Sequence, residues 1–177
     1  MLLDLRSKRR EAMPVATQIA DVPKTQRSHI DDFLAQNRIA MVGVSRNARD
    51  FTRMLYKEFI KRGYAVVPVN PSAPEMDGHR CYESVRQIEP PVPAVLLMTK
   101  PEVTDRVIED CLVAGVTHVW MYRASGRGAV SSTAVEMCRR HGVKVIVGEC
   151  PFMFFPKPGF IHGVHGWIRK IAGSYPK

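Results

Sequence analysis

Five short runs of apolar residues alternate along this chain with segments of helical period. The runs are Arg38–Gly43, Tyr64–Val69, Ala94–Met98, Thr117–Met121 and Val143–Val147. A strand that is apolar at successive positions has no face to offer water, so it belongs in a sheet covered on both sides, which favours parallel pairing. Parallel strands need crossovers, and the intervening segments supply them. Phe51–Arg62 places Phe51, Met54, Leu55 and Phe59 on one helical face, and Gly63 ends it. Pro101 stands at the first position of a helix that carries Val103, Val107, Ile108, Cys111 and Leu112 to about Gly115, and Ser131–His141 forms another, stopped by Gly142.

Upstream, Ser28 and Asp31 fit a capping box that opens a helix to about Gln36. Between Glu75 and Glu89 the pattern supports at most a short helix around Tyr82–Gln87. Right-handed crossovers with helices on both faces then give a doubly wound, Rossmann-like five-stranded parallel sheet. By rank along the chain, the expected strand order is 3-2-1-4-5. Residues 1–27 read as a flexible basic arm and 28–155 as the domain. The aromatic and amphipathic stretch 156–177 reads as an extension packed on the domain or on a second subunit, making a homodimer an expectation.

Composition narrows the partners. Among 177 residues, 26 Lys and Arg against 17 Asp and Glu give a formal charge of +9, which favours anionic ligands. No apolar run approaches the roughly 18–20 residues that span a bilayer, so the sequence predicts a soluble, cytoplasmic chain without a membrane partner. Cys81, Cys111, Cys138 and Cys150 show neither metal-finger nor redox-pair spacing. His162 and His165 stand at a spacing a metal could use, but no second ligand pair accompanies them, so no metal site is assigned.

In open α/β sheets ligands bind beyond the carboxyl ends of the strands, where the strand order reverses. With the order above, that crevice falls between the first and fourth strands. Gly43-Val44-Ser45 ends the first strand just before a helix, where backbone N–H groups and the helix dipole attract phosphate. Between Arg38 and Arg62 there are seven Lys and Arg against two carboxylates. Arg46, Arg49 and Arg53 are spaced to border the loop, and Arg forks match phosphate oxygens. The loop is no dinucleotide fingerprint, since Ser45 and Ala48 replace the second and third glycines. Asn70 also stands where a ribose-binding acid would end the second strand. A phosphate-binding G-K-[ST] loop is absent as well.

Ile39-Ala-Met-Val-Gly-Val-Ser45, Gly63-Tyr-Ala-Val-Val-Pro-Val-Asn-Pro71, Val119-Trp-Met121 and Gly148-Glu-Cys-Pro151 resemble the stand-alone CoA-binding domain proteins. These in turn are similar to the nucleotide-binding domain of the succinyl-CoA synthetase alpha subunit. The resemblance covers about residues 28–155 and implies CoA, or an acyl-CoA, as ligand. It further implies four contacting loops. Gly43, Val44 and Ser45, with Arg46, Arg49 and Arg53, would cradle the diphosphate. Asn70 and Pro71 would lie near the 3′-phosphate or adenosine, and Met98, Thr99, Lys100 and Pro101 would flank the adenine. Met121 and Tyr122 form the fourth loop; many relatives have Gln where Tyr122 stands. The synthetase's catalytic His lies in a domain outside this match, so no catalytic residue is assigned here.

Two other classes stay open. A small acyl-CoA-processing enzyme would use Cys150 or Glu149, which end the fifth strand on the ligand side. A nucleic-acid-binding module would use the net positive charge, although no helix-turn-helix, zinc finger or RNA-binding signature accompanies it.

Overall fold

The fold was determined as a computed structural model, which describes residues 25–123 and 128–155. Among these residues four helices, α1 (Arg27–Leu34), α2 (Phe51–Lys61), α3 (Pro101–Val113) and α4 (Ser132–Arg140), cover a parallel sheet. Its five strands are β1 (Arg38–Val42), β2 (Ala65–Val69), β5 (Ala94–Leu97), β6 (His118–Met121) and β7 (Lys144–Val147). A separate two-stranded hairpin, β3 (Glu75–Met76) and β4 (His79–Arg80), follows β2.

The sheet runs β2-β1-β5-β6-β7, every pairing parallel. By chain rank this is 2-1-3-4-5, which corrects the expected 3-2-1-4-5. The third strand lies inside the sheet against β1, not outside β2. Pro68 supplies the reason. A proline cannot donate to a ladder, so its strand belongs at an edge with the missing N–H outward. In β2 the Pro68 carbonyl faces away from β1 and accepts from the Tyr82 N–H at 3.0 Å, and the Asn70 N–H donates to the Tyr82 carbonyl at 2.9 Å. The segment around Tyr82 thus closes the outer side of β2. The chain then crosses back over the opposite face, burying Val85, Ile88 and Val92 with Ala40, Val42, Val95 and Leu97.

Each face has its own core, because successive strand residues point to opposite sides. On one side Ile39, Met41, Leu96, Trp120 and Ile146 meet Ile30 and Phe33 of α1 and Leu55, Tyr56 and Phe59 of α2. Phe33 packs edge-on against Trp120, centroids 5.2 Å apart. The chain after β7 joins this core through Met153, Phe154 and Phe155. On the other side Val95, Val119, Met121 and Val145 meet Ile108 and Cys111 of α3 and Ala134, Val135 and Cys138 of α4. The buried face of α3 is Thr104, Ile108 and Cys111, so Val103, expected in the core, is half exposed.

Helix starts differ in how they are capped. Asp50 caps α2 by accepting from the Thr52 N–H, and Ser131 caps α4 through the Ala134 N–H. The expected capping box at Ser28 does not form. Helix α1 begins two residues earlier, with Gln26 at its cap, and Asp31 pairs instead with Arg27 at 2.9 Å. The other edge strand, β7, is closed by side chains: Thr25 bonds both the Val147 N–H and the Val147 carbonyl, and the His29 ring bonds the Val145 carbonyl. Of the arm expected at residues 1–27, residues 1–24 lie outside the described residues, as does the extension at 156–177 with His162 and His165.

Candidate functional site

Reversal of the chain at β1 places the crevice between the carboxyl ends of β1 and β5, correcting the first-and-fourth-strand expectation. The two strand ends nearly touch. Gly43 adopts φ +87°, and a Cβ there would stand 2.8 Å from the Met98 carbonyl oxygen. Only glycine allows both the backbone angle and the approach.

The loop after β1 is braced from within. Asn70 donates from Nδ2 to the Val44 carbonyl at 2.9 Å and accepts the Ser72 N–H on Oδ1. The Ser45 N–H donates to Thr52 Oγ1 at 2.9 Å, and the Asn47 N–H donates to Ser45 Oγ at 3.1 Å. Asn47 Oδ1 in turn accepts the Arg49 N–H. Among the described residues no hydrogen bond takes up the backbone N–H of Val44, Arg46 or Ala48. Unused donors beside a glycine cradle at the start of α2 are the chemistry that holds phosphate oxygens.

Arg46 and Arg49 are exposed and have no ion-pair partner among the described residues. Arg53 differs. It is only 8% exposed, and its guanidinium reaches Asp77 twice, Nε to Oδ2 at 3.0 Å and Nη2 to Oδ1 at 2.6 Å. Its Nη1 donates to the Ser45 carbonyl at 3.0 Å. The hydrogen bond from Arg53 holds the Asp77 carboxyl below the usual carboxylate range, and Asp77 in turn raises Arg53.

In the second loop, Asn70 serves as a brace and Pro71 is exposed. In the third, Met98 and Thr99 are half-buried, Lys100 is exposed, and Pro101 opens α3. Thr99 shares a hydrogen bond with Thr104 at 2.8 Å. The fully buried Thr104 hydroxyl also lies 3.2 Å from the Lys100 carbonyl and 3.0 Å from the Ala129 carbonyl, tying the third loop to the fourth. In the fourth, Met121 is fully buried under the opposite face of the sheet. Tyr122 stacks on Phe51 at 5.2 Å with planes 12° apart, and Phe152 meets Phe51 edge-on. Burial pushes the Tyr122 hydroxyl up to about 12.

Cys150 is half-buried near this aromatic group, and burial raises its thiol. Glu149 is buried, and its carbonyl accepts from the Trp120 indole N–H at 2.9 Å. Among the described residues no three His, Cys, Asp or Glu side chains gather as a metal-binding set, and no helix is long and apolar enough to cross a membrane.

Sequence reasoning missed three residues that shape the site. Asp77 was signalled by the Asp-Gly pair of a hairpin turn. Thr104 shares a helical face with Ile108 and Cys111, a position where a polar residue must find internal partners. Thr52, one turn into α2, gave no comparable signal.

The fold and the loop together define a doubly wound, parallel-sheet domain with a glycine loop that carries unused N–H donors at its reversal point. The chain belongs to the family described as "CoA binding domain", whose sequence model matches residues 37–156. The Bacillus subtilis protein YneT, described as uncharacterized, is 28% identical over 125 residues, 70% of this chain and 90% of YneT. A conserved hypothetical protein from Pyrococcus furiosus has a solved structure with TM-score 0.58 and 30% identity, covering 64% of this chain and 95% of that one. The ADP-forming acetate–CoA ligase of Methanocaldococcus jannaschii is 22% identical over 116 residues, 63% of this chain. The match spans 16% of that ligase's length.

Proposed function

We propose that this protein binds CoA or an acyl-CoA at the β1/β5 crevice and carries out no catalysis of its own. The observation that carries the reading is the loop Gly43–Ala48. It combines a glycine in close approach to β5, three backbone N–H groups without an acceptor among the described residues, and exposed Arg46 and Arg49 beside them. These groups fit a diphosphate, which offers several charged oxygens to fixed amides and to guanidinium forks. Gly43, Val44 and Ser45 supply the backbone cradle, and Arg46 and Arg49 the charge. Asn70 and Pro71 border the ribose 3′-phosphate side. Met98, Thr99, Lys100 and Pro101 flank the adenine, with Lys100 available to a phosphate. Met121 contributes backbone and Tyr122 its ring edge to the far wall.

Membership of the CoA-binding family supports this ligand, as does the likeness to part of an acetate–CoA ligase. Asn70 supports it against NAD, because an amide braced on Val44 offers no carboxylate to ribose hydroxyls. The raised Cys150 thiol disfavours the thiolate that a nucleophilic mechanism would require.

Isothermal titration with CoA, dephospho-CoA, NAD and ATP at one fixed salt concentration tests the reading. The expected result is clear heat for CoA, weaker binding of dephospho-CoA and none of NAD. Absence of heat for CoA with the protein folded by circular dichroism would overturn it. Steep salt-dependent retention on DNA would then point to a nucleic-acid partner.

A further inference from the structure

Arg53 comes from the basic group that borders the loop, yet its guanidinium points inward. A buried charge needs a partner that satisfies its donors. Asp77 meets two of its nitrogens and the Ser45 carbonyl the third. Asp77 sits at φ +49° in the turn of the β3–β4 hairpin, followed by Gly78 at φ +79°. That hairpin forms no ladder with the main sheet. Two strands alone are marginal in water, so such a hairpin depends on what it docks against. Here Met76 enters the core beside Tyr56, and Asp77 grips Arg53.

The peptide unit shows what this grip does. The Ser45 carbonyl and the Arg46 N–H belong to one planar trans peptide and point in opposite directions. Drawing the carbonyl inward to Arg53 turns the Arg46 N–H outward, and that N–H has no acceptor among the described residues. Asn70 acts likewise on the preceding peptide. It holds the Val44 carbonyl, while the Ser45 N–H turns the other way to Thr52.

We infer that Arg53 and Asp77 form a positioning pair, in which the β3–β4 hairpin holds Arg53 on the Ser45 carbonyl and so aims the Arg46 N–H at the ligand's phosphate. Arg53 itself does not touch the phosphate. This rests on the reading that the Gly43–Ala48 loop receives the CoA diphosphate.

The sign of one substitution separates positioning from direct contact. Asp77→Asn removes a negative charge near an anion site. If Arg53 gripped phosphate, the change would free it, and CoA would bind as well or better. A positioning pair predicts the reverse, CoA affinity about tenfold weaker, on the scale of one charge-assisted hydrogen bond. Glu75→Gln, on the same hairpin, removes an exposed charge as a control and leaves affinity unchanged.

Hydrogen exchange reads the loop without any ligand. In Asp77→Asn, peptides spanning residues 43–50 should exchange about tenfold faster, while those from α3 keep their wild-type rates. Unchanged or tighter CoA binding, or unchanged loop exchange, would overturn the inference. If the wild-type protein takes no CoA, the ligand reading fails and the exchange result alone decides the positioning role. Should Asp77→Asn fail to fold, Arg53→Lys keeps the charge but cannot span both Asp77 and the Ser45 carbonyl with a planar fork. It should show the same faster loop exchange, and wild-type exchange in that variant would equally refute the pair.

Discussion

Gly43→Ala tests whether close approach between two strand ends, and not backbone angle alone, fixes glycine at the crevice. The structure contains its own control. Gly43 and Gly63 have nearly the same φ, +87° and +89°, but a Cβ on Gly63 would meet nothing within 4 Å. Placing alanine in this left-handed region costs roughly 1–2 kcal/mol at either position. At Gly43 the new Cβ would also stand 2.8 Å from the Met98 oxygen, 3.0 Å from its carbonyl carbon and 3.3 Å from Thr99 Cγ2. That backbone cannot easily retreat: the Met98 N–H is bonded to the Val42 carbonyl at 2.9 Å, and the Thr99 hydroxyl to Thr104. Overpacking of this kind adds about 1–3 kcal/mol, so Gly43→Ala should cost about 2–5 kcal/mol in total. Urea denaturation of both variants, followed by tryptophan fluorescence and circular dichroism, measures the difference directly. CoA titration of the folded variant should show weakened binding at Gly43 and none of that loss at Gly63. Equal destabilisation by the two alanines would refute the close-approach argument.

Three other outcomes follow from the same geometry. Thr104→Val keeps the shape but strips a fully buried hydroxyl from Thr99 and from the Lys100 and Ala129 carbonyls, so urea melts should show about 1–3 kcal/mol of lost stability. His118 has a buried Nε2 without a hydrogen-bond partner among the described residues, and burial, with Lys144 nearby, lowers its pKa below the ordinary 6.5. The unfolded chain therefore binds this proton more readily. The contribution is present above about pH 6.5 and lost as pH falls through the lowered native value, and His118→Gln should flatten that part of a stability–pH profile. Burial raises the thiols of Cys81, Cys111, Cys138 and Cys150, so iodoacetamide at pH 7.5 should label the native protein slowly and all four sites rapidly in urea.

The periodic elements were legible because each is written locally. Five doubly buried strands and their helices emerge from apolar runs and helical faces, and the observed bounds lie within a few residues of those expected. Strand order is decided by which strands meet, so an alternation of elements leaves it open. Pro68 was the cue, since it restricts β2 to an edge and thereby excludes an order that buries it between two strands. The first loop and its glycine were legible for the same local reason. The direction of Arg53 was not, because its partner lies 24 residues away on a hairpin whose only signal was Asp77-Gly78. Likewise Asn70 could be read as the absence of a ribose-binding acid, but its hold on Val44 exists only once β1 and β2 are side by side.

Charge counted along the sequence overstates what a ligand meets. Of the seven basic residues between Arg38 and Arg62, four are engaged internally. Arg38 donates to the Pro90 and Pro91 carbonyls, and Arg53 holds Asp77 and Ser45. Lys57 lies 3.9 Å from Asp77, and Arg62 pairs with Glu58 while covering the Phe155 ring. Arg46, Arg49 and Lys61 keep no ion-pair partner among the described residues, and two of these three stand on the loop after β1. Extended nucleic acid draws its affinity from many phosphate contacts along a stripe of free cations. A diphosphate needs a compact cradle of amides with one or two guanidinium groups beside it. Among the described residues between Arg38 and Arg62, internal pairing leaves no such stripe beside the loop, which supports the small phosphorylated ligand proposed above.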